Sequence, residues 1–234
     1  MPRVFDCVIL ESRDQLDLLE ARFHEFRDIP EVTHVICEAE TDYHGNPKPK
    51  HFSREEKDDR FLPWHGRWNH VLVYADELPS DCDPRGKKDA LRDRLAHGFN
   101  GDPDDIVMHG NIDEIPAMWM VSRLARGESE LPVTMSMKHC AGHAGVILPG
   151  EWHGTAAHQR QHIGSFSGLR RRRKEFPLVI TAGTRLSGMG AEYTEGIPLR
   201  EEVSESWPRY IREGLCPGEW WPEEDFRESG PLAF

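Results

Sequence analysis

The feature that most constrains the fold is a series of four short apolar segments spaced along the first half of the chain. Each is four to eight residues long and rich in branched or aromatic side chains, as buried strands are. Between them, leucines and phenylalanines recur at helical spacing. The strand segments are 3–10, 33–38, 69–75 and 105–108, and the helical segments are 16–26 and 87–99. Strands alternating with helices predict an α/β fold, with a mixed, mostly parallel sheet flanked by helices.

The polar residues that follow these strands define one edge of the predicted sheet. In open α/β sheets, ligands bind outside the carboxyl ends of the parallel strands. Glu11, Glu38, Asp76 and the segment 111–114 come at or directly after the ends of the four strands. We therefore expect a functional site at this edge. In the second half of the chain, further strands are expected at 133–139, 144–148 and 178–182.

Length and charge exclude several classes of protein. The chain has 234 residues, and a formal net charge of −12 argues against nucleic acid as a partner. No apolar run is long enough to span a membrane. The five cysteines are scattered without a C-x-x-C pair, which favours free thiols and a cytoplasmic location. We expect one domain over residues 1–216, followed by an irregular C-terminal tail over 217–234.

The most distinctive local motif joins a buried strand to an acidic turn. Residues 104–116 read DDIVMHGNIDEIP, so a short apolar run leads directly into Asn111, Asp113 and Glu114. Oxygen ligands grouped in this way can hold a hard divalent cation such as Mg²⁺ or Mn²⁺. Such a cation can neutralise a diphosphate leaving group. An acidic turn exposed to solvent is an equally good interpretation of this motif taken alone.

Three stretches taken together resemble glycosyltransferase family 17. The last of them is similar to the family pattern D-D-I-I-I-x-S-D-x-D-E-I-P, and all three keep the family's order and approximate spacing over residues 3–116. The matching stretches are Val4–Cys7 with Leu16–Arg22, Val35–Ala39 with Gly45–Pro49, and Asp105–Pro116. Beyond residue 116, only Trp152–Gly154 and Ala182–Ser187 resemble further family segments.

The resemblance implies a GT-A-like nucleotide-sugar-binding fold and an inverting glycosyltransferase. Such an enzyme would move N-acetylglucosamine from a uridine diphosphate donor to a hydroxyl of a glycan, a protein or another acceptor. By position in the motifs, Asp113 and Asn111 would hold a divalent cation. Glu38, Lys88, Asn111 and Arg185 would bind the donor, and the catalytic residues would be Asp113 together with Glu114 or Glu151.

One departure from the family pattern bears on catalysis. The first aspartate of the family's D-x-D motif is Asn111 here. An amide offers a dipole where a carboxylate offers a charge, so divalent-ion binding should be weaker. Arg185, at the position of a family histidine, would supply positive charge at the diphosphate instead. A non-catalytic protein of the same fold that binds a nucleotide sugar or a glycan is the alternative.

Three other sequence features admit two interpretations each. His158 and His162 have a spacing that could bind zinc on a helix, but structural histidines are the preferred interpretation. The basic run 170–174 could bind phosphates, although a solvated face is the preferred interpretation. Trp207, Trp220 and Trp221 could stack on sugar rings, but packing is preferred for them. A metal hydrolase built on the histidines ranks last among the functions considered.

Overall fold

The fold is built on one nine-stranded sheet. The structure is a computed structural model that describes residues 1–99, 101–141, 146–187, 199–200, 209 and 213. The strands are β1 Val4–Leu10, β2 Val32–Ala39, β3 Trp68–Val73, β4 Ile106–His109, β5 Glu114–Pro116, β6 Val133–Ala141, β7 Val146–Gln159, β8 Leu178–Ser187 and β9 Leu199–Arg200. The helices are α1 Gln15–Glu25, α2 His51–Glu55, α3 Pro84–Arg94, α4 Met118–Ala125 and α5 Phe166–Arg172.

The strand order is β3-β2-β1-β4-β7-β6-β8-β5, with β9 beside β7. β3, β2, β1 and β4 are all parallel. β7 runs antiparallel to both β4 and β6, whereas β6 and β8 are parallel to each other. The predicted α/β architecture, a mixed sheet flanked by helices, is therefore confirmed, and its purely parallel part is the first half of the chain.

The alternating side chains of β1 explain why helices cover both faces of the sheet. Val8 and Leu10 pack with Leu16, Leu19 and Phe23 of α1 on one face. On the opposite face, Phe5, Cys7 and Ile9 pack with Leu91 of α3 and Phe166 of α5. Every residue of β1 is buried. A central strand covered on both sides should be apolar throughout, as this one nearly is.

In the second half of the chain, the strands predicted at 133–139 and 178–182 are present as β6 and β8, both longer than predicted. The strand expected at 144–148 is the start of β7, which continues to Gln159. His158 therefore lies on a strand and His162 in a 3₁₀ turn, with ring centroids 5.1 Å apart. Within the described ranges, no group of three or more side chains could hold a metal ion. The tail 217–234 and the tryptophans at 207, 220 and 221 lie outside the described residues.

Candidate active site

A cleft of about 430 Å³ opens at the carboxyl ends of β1 and β4. One wall is the start of α1 with the residues after β1, and another is α3. The floor is the loop between β4 and β5, residues 110–113, called here the acidic loop. The polar side chains that line the cleft are Glu11, Asp14, Gln15, Lys88, Arg92, His109, Asn111 and Asp113. The predicted functional edge of the sheet therefore carries a cavity, and Lys88, Asn111 and Asp113 meet in it.

Glu114 holds the acidic loop in place through buried contacts. Its side chain is fully buried and forms a two-pronged ion pair with Arg170, with 2.6 Å between Arg170 Nη1 and Oε2. The Trp152 indole donates a 2.9 Å hydrogen bond to Oε1, and the backbone N–H of Asn111 donates a 3.0 Å bond to Oε2. Burial opposes ionisation, but Arg170 and Trp152 outweigh it and hold the pKa of Glu114 below its ordinary value.

A second buried group holds the backbone of the acidic loop. Arg22, on α1, is completely buried and ion-paired with Asp6, which also accepts a 2.9 Å hydrogen bond from His34 Nδ1. The free arm of Arg22 donates to the carbonyl oxygens of Ile112 and Glu114. These contacts are made to backbone carbonyls. They therefore position the loop regardless of which side chains it presents to the cleft.

Asp113 faces the cleft as half of an ion pair. Its Oδ2 accepts a 3.0 Å hydrogen bond from Arg185 Nε, and both side chains are 17% exposed. Burial raises the pKa of Asp113, although Arg185 opposes this shift. The Arg185 guanidinium carbon also lies 3.8 Å from the centre of the Trp152 ring. The register of β5 and β8 brings this pair together, because it places Glu114, the residue next to Asp113, directly opposite Arg185.

Lys88 reaches the cleft from α3 and is held there by two neighbours. Its Nζ lies 2.6 Å from Glu11 Oε1 and 5.1 Å from the centre of the Tyr43 ring. The Tyr43 hydroxyl donates to the same Glu11 oxygen. Arg92, one helical turn further along α3, lies beside Lys88 on the cleft face. The helix thus presents two cations opposite the acidic loop.

His109 is a neutral group at the end of β4. It is 1% exposed, and its Nδ1 lies 3.0 Å from the Cys7 carbonyl oxygen. A carbonyl can only accept, so the proton is on Nδ1 and Nε2 carries a lone pair. Nε2 is buried and has no hydrogen-bond partner among the described residues. Burial lowers the pKa of His109 to about 3, so it stays uncharged at neutral pH.

Three of the predicted site residues lie away from the cleft. Glu38 is fully buried at the end of β2 and accepts hydrogen bonds from backbone N–H groups of residues 51–53, at the start of α2. Glu114 is enclosed by Arg170 and Trp152, as described above. Glu151 is exposed on β7 and lines none of the cavities described here. Their predicted roles stay predictions, but the geometry of Glu38 and Glu114 favours structural ones.

Several site residues were not predicted from the sequence. Arg92 could have been found, because it is four residues after Lys88 and so shares its helix face. Arg170 belongs to a basic run for which a solvated face was preferred, but it is 6% exposed. Nothing in the sequence near residue 170 indicates that Glu114 is its partner. Only the sheet brings these two side chains together.

Comparison with known proteins identifies relatives of the first half of the chain. The model of glycosyltransferase family 17 matches residues 1–140. The human beta-1,4-mannosyl-glycoprotein 4-beta-N-acetylglucosaminyltransferase is 29% identical over 114 residues, which cover 44% of this chain and 20% of the human protein. The enzyme of the same name from Rattus norvegicus gives the same identity and coverage. The chain thus spans about a fifth of the length of these relatives.

Solved structures with a similar backbone are more distant. A mannosyltransferase from Pyrobaculum calidifontis, in complex with GDP-mannose and Mn²⁺, is 14% identical with a TM-score of 0.43, over 80% of this chain and 57% of that one. Glucosyl-3-phosphoglycerate synthase from Mycobacterium tuberculosis is 12% identical with a TM-score of 0.37, over 95% and 80%. The assignment depends on the family match, which covers more than half of the residues. The chain belongs to glycosyltransferase family 17.

Proposed function

We propose that this chain is an inverting glycosyltransferase that moves N-acetylglucosamine from its uridine diphosphate donor to an acceptor hydroxyl. Membership of family 17 and the names of the curated relatives support sugar transfer. The observation that carries the proposal is the cleft at the carboxyl ends of β1 and β4, with Asn111 and Asp113 at its floor. Nucleotides bind at this edge of open α/β sheets.

Three cations lie where a diphosphate in the cleft would meet them, and each is already held in place by a carboxylate. Lys88 is paired with Glu11, Arg92 with Asp89 and Arg185 with Asp113. Transfer requires positive charge on the oxygen that leaves the anomeric carbon, and preorganised cations supply it without rearrangement. In this proposal the diphosphate lies between α3 and the acidic loop. The nucleoside then occupies the part of the cleft beside Ile9 and Glu11.

A divalent cation fits this site only when the donor phosphates supply further ligands to it. Asn111 and Asp113 offer one amide oxygen and one carboxylate, and the carboxylate is already paired with Arg185. Mg²⁺ and Mn²⁺ are commonly held by one or two carboxylates together with substrate phosphates. When bound, the ion would neutralise charge on the departing diphosphate. Asn111 and Asp113 would hold it, and Arg185 supplies part of the same charge.

Deprotonation of the acceptor hydroxyl requires a base on the open side of the cleft. Asp113 is paired with Arg185 and would hold the cation, so it is not free to act as that base. Glu151, exposed on β7 beside Trp152, is the candidate. The enclosed carboxylate of Glu114 instead positions the acidic loop.

The second candidate function is nucleotide-sugar binding without turnover. The pairing of Asp113 with Arg185 and the amide at position 111 favour it, because together they leave the D-x-D position without net negative charge. A protein of this kind would bind uridine diphosphate and leave the donor sugar intact.

Calorimetry with uridine diphosphate, with and without Mn²⁺, tests the proposal together with a donor turnover assay. We expect binding, and release of uridine diphosphate from the N-acetylglucosamine donor. Asp113→Ala should lower turnover about 100- to 1,000-fold, because it removes one contact to developing charge. Asp59→Ala is the matched control, since Asp59 is exposed outside the cleft. Binding without turnover would favour the second function, and absence of nucleotide binding would reject both.

A further inference from the structure

A second cavity of about 230 Å³ adjoins the cleft and is lined mainly by arginines. Arg92 and Asn111 line both cavities, so the two meet at the acidic loop. The proposed donor site does not use this second cavity, which we call the arginine annex. Its arginines are Arg85, Arg92, Arg170, Arg171 and Arg173.

Among the described residues, the arginine annex has more positive charge than the neighbouring carboxylates neutralise. Asp89 accepts a 2.8 Å hydrogen bond from Arg92 and a 2.7 Å hydrogen bond from Arg171. Glu114 neutralises Arg170. Among the described residues, two carboxylates thus stand against five arginines. Because Arg92 also faces the diphosphate of the proposed donor site, two positive charges are left for a further ligand, in a chain whose net charge is −12.

Burial and the neighbouring cations both disfavour the charged form of Arg173. Arg173 is held between the carbonyls of His153 and Arg170, to which it donates hydrogen bonds of 2.7 and 2.6 Å. Burial, followed by the nearby charges of Arg170 and Arg92, lowers the pKa of Arg173 to about 10. An anion placed among these groups would relieve the repulsion between them.

Two of the five arginines are not needed to hold the fold. Arg85 is exposed at the start of α3, and the Arg171 side chain is 57% exposed on α5. Exposed ion pairs such as Arg171 with Asp89 contribute little to stability. Guanidinium groups bind phosphate oxygens with two parallel hydrogen bonds. Both side chains are therefore placed to meet a ligand.

We propose that the arginine annex binds a phosphate group carried by the acceptor. The inference rests on the proposed function, because a donor diphosphate in the cleft leaves the adjoining cavity for the molecule that receives the sugar. A phosphate dianion matches two surplus charges better than a singly charged carboxylate does. The acceptor class is therefore a phosphorylated sugar or glycan.

The test compares mannose 6-phosphate with mannose as calorimetric probes of the full chain saturated with uridine diphosphate. We expect mannose 6-phosphate to bind at least about ten-fold more tightly than mannose, because a charge-assisted contact is worth about one factor of ten or more. The double variant Arg85→Ala/Arg171→Ala should lose at least about ten-fold of this affinity. Arg123→Ala/Arg126→Ala, which removes one exposed arginine from α4 and one directly after that helix, should keep it.

Uridine diphosphate binding separates this inference from the proposed function. Equal affinity for the two sugars, or an unchanged affinity in Arg85→Ala/Arg171→Ala, would overturn the inference while nucleotide binding stayed normal. A double variant that loses affinity for uridine diphosphate instead would assign the arginine annex to the donor and overturn the inference as well. Failure of the proposed function would appear earlier, as absent binding of uridine diphosphate before either sugar is added.

Discussion

Replacing Arg170 with methionine should destabilise the protein severely. Methionine keeps much of the length of the side chain but removes the charge that neutralises Glu114. The Glu114 side chain is 0% exposed and that of Arg170 is 7% exposed, so water cannot replace the lost partner. In the part of the chain that the structure describes, the substitution leaves a buried carboxylate with the Trp152 indole and the Asn111 N–H as its remaining donors.

The magnitude follows from the burial of the pair. Removing one partner of a buried ion pair costs about 3–5 kcal/mol, because the remaining charge is uncompensated. A domain of this kind is stable by only about 5–15 kcal/mol, so the loss is a large fraction of the total. With a urea m-value of about 3 kcal/mol per molar, the unfolding midpoint should fall by about 1–2 M.

Urea unfolding followed by tryptophan fluorescence measures the effect, and a double-mutant cycle assigns its cause. Arg170→Met/Glu114→Gln removes both charges, so it should be more stable than Arg170→Met alone. The neighbouring Arg171→Met is the matched control and should cost less than about 1 kcal/mol, because Arg171 is exposed. A loss below about 1 kcal/mol in Arg170→Met, or strictly additive effects in the cycle, would refute the reasoning.

Four further predictions concern the site and its supports. Asn111→Asp should lower the Mn²⁺ concentration needed for half-maximal activity, since it adds an anionic ligand; an unchanged metal titration would contradict this. Arg185→Ala should reduce activity more in chelator than in saturating Mn²⁺, and equal losses would show that the two charges do not substitute for one another. Gly183→Ala should lower the free energy of unfolding, because φ at 183 is +144° and a Cβ there would lie 2.5 Å from the Ile115 carbonyl oxygen; calorimetric melting checks it. Asp6 should make the protein acid-sensitive: burial opposes its ionisation, but Arg22 and His34 outweigh it and hold its pKa below the ordinary value. Its contribution is present above about pH 4 and is lost as the pH falls, so Asp6→Asn should flatten the acid limb of the stability profile.

The parallel half of the fold could be predicted from the sequence because local signals agree there. β1 is apolar except for Asp6, β1 and β2 are both buried along almost their whole length, and the periodicity of α1 matches the face that it buries. The second half gives weaker signals. β7 runs for fourteen residues through glycines, histidines and polar side chains. Its partners on both sides, rather than its own composition, make it a strand.

The candidate site was predicted only in part, because some of its contacts are local in the sequence and others are not. The acidic loop directly follows a buried strand, so Asn111 and Asp113 could be placed at the edge of the sheet from sequence alone. The motif does not indicate that Glu114 is buried whereas Asn111 and Asp113 face the cleft. Its burial depends on Arg170, which lies 56 residues further along the chain. A contact at that separation leaves no trace in periodicity or local composition.

The hydrogen bonds that Arg22 and Glu114 form with the backbone of the acidic loop have a consequence for the thermodynamics of binding. A loop already held at its backbone carbonyls and at its first amide has little conformational entropy left to lose when a ligand arrives. Ligand contacts at Asn111 and Asp113 can then contribute to affinity without an ordering penalty at that wall of the cleft. The same rigidity restricts which ligands can bind, because a fixed loop favours ligands whose shape fits it without rearrangement.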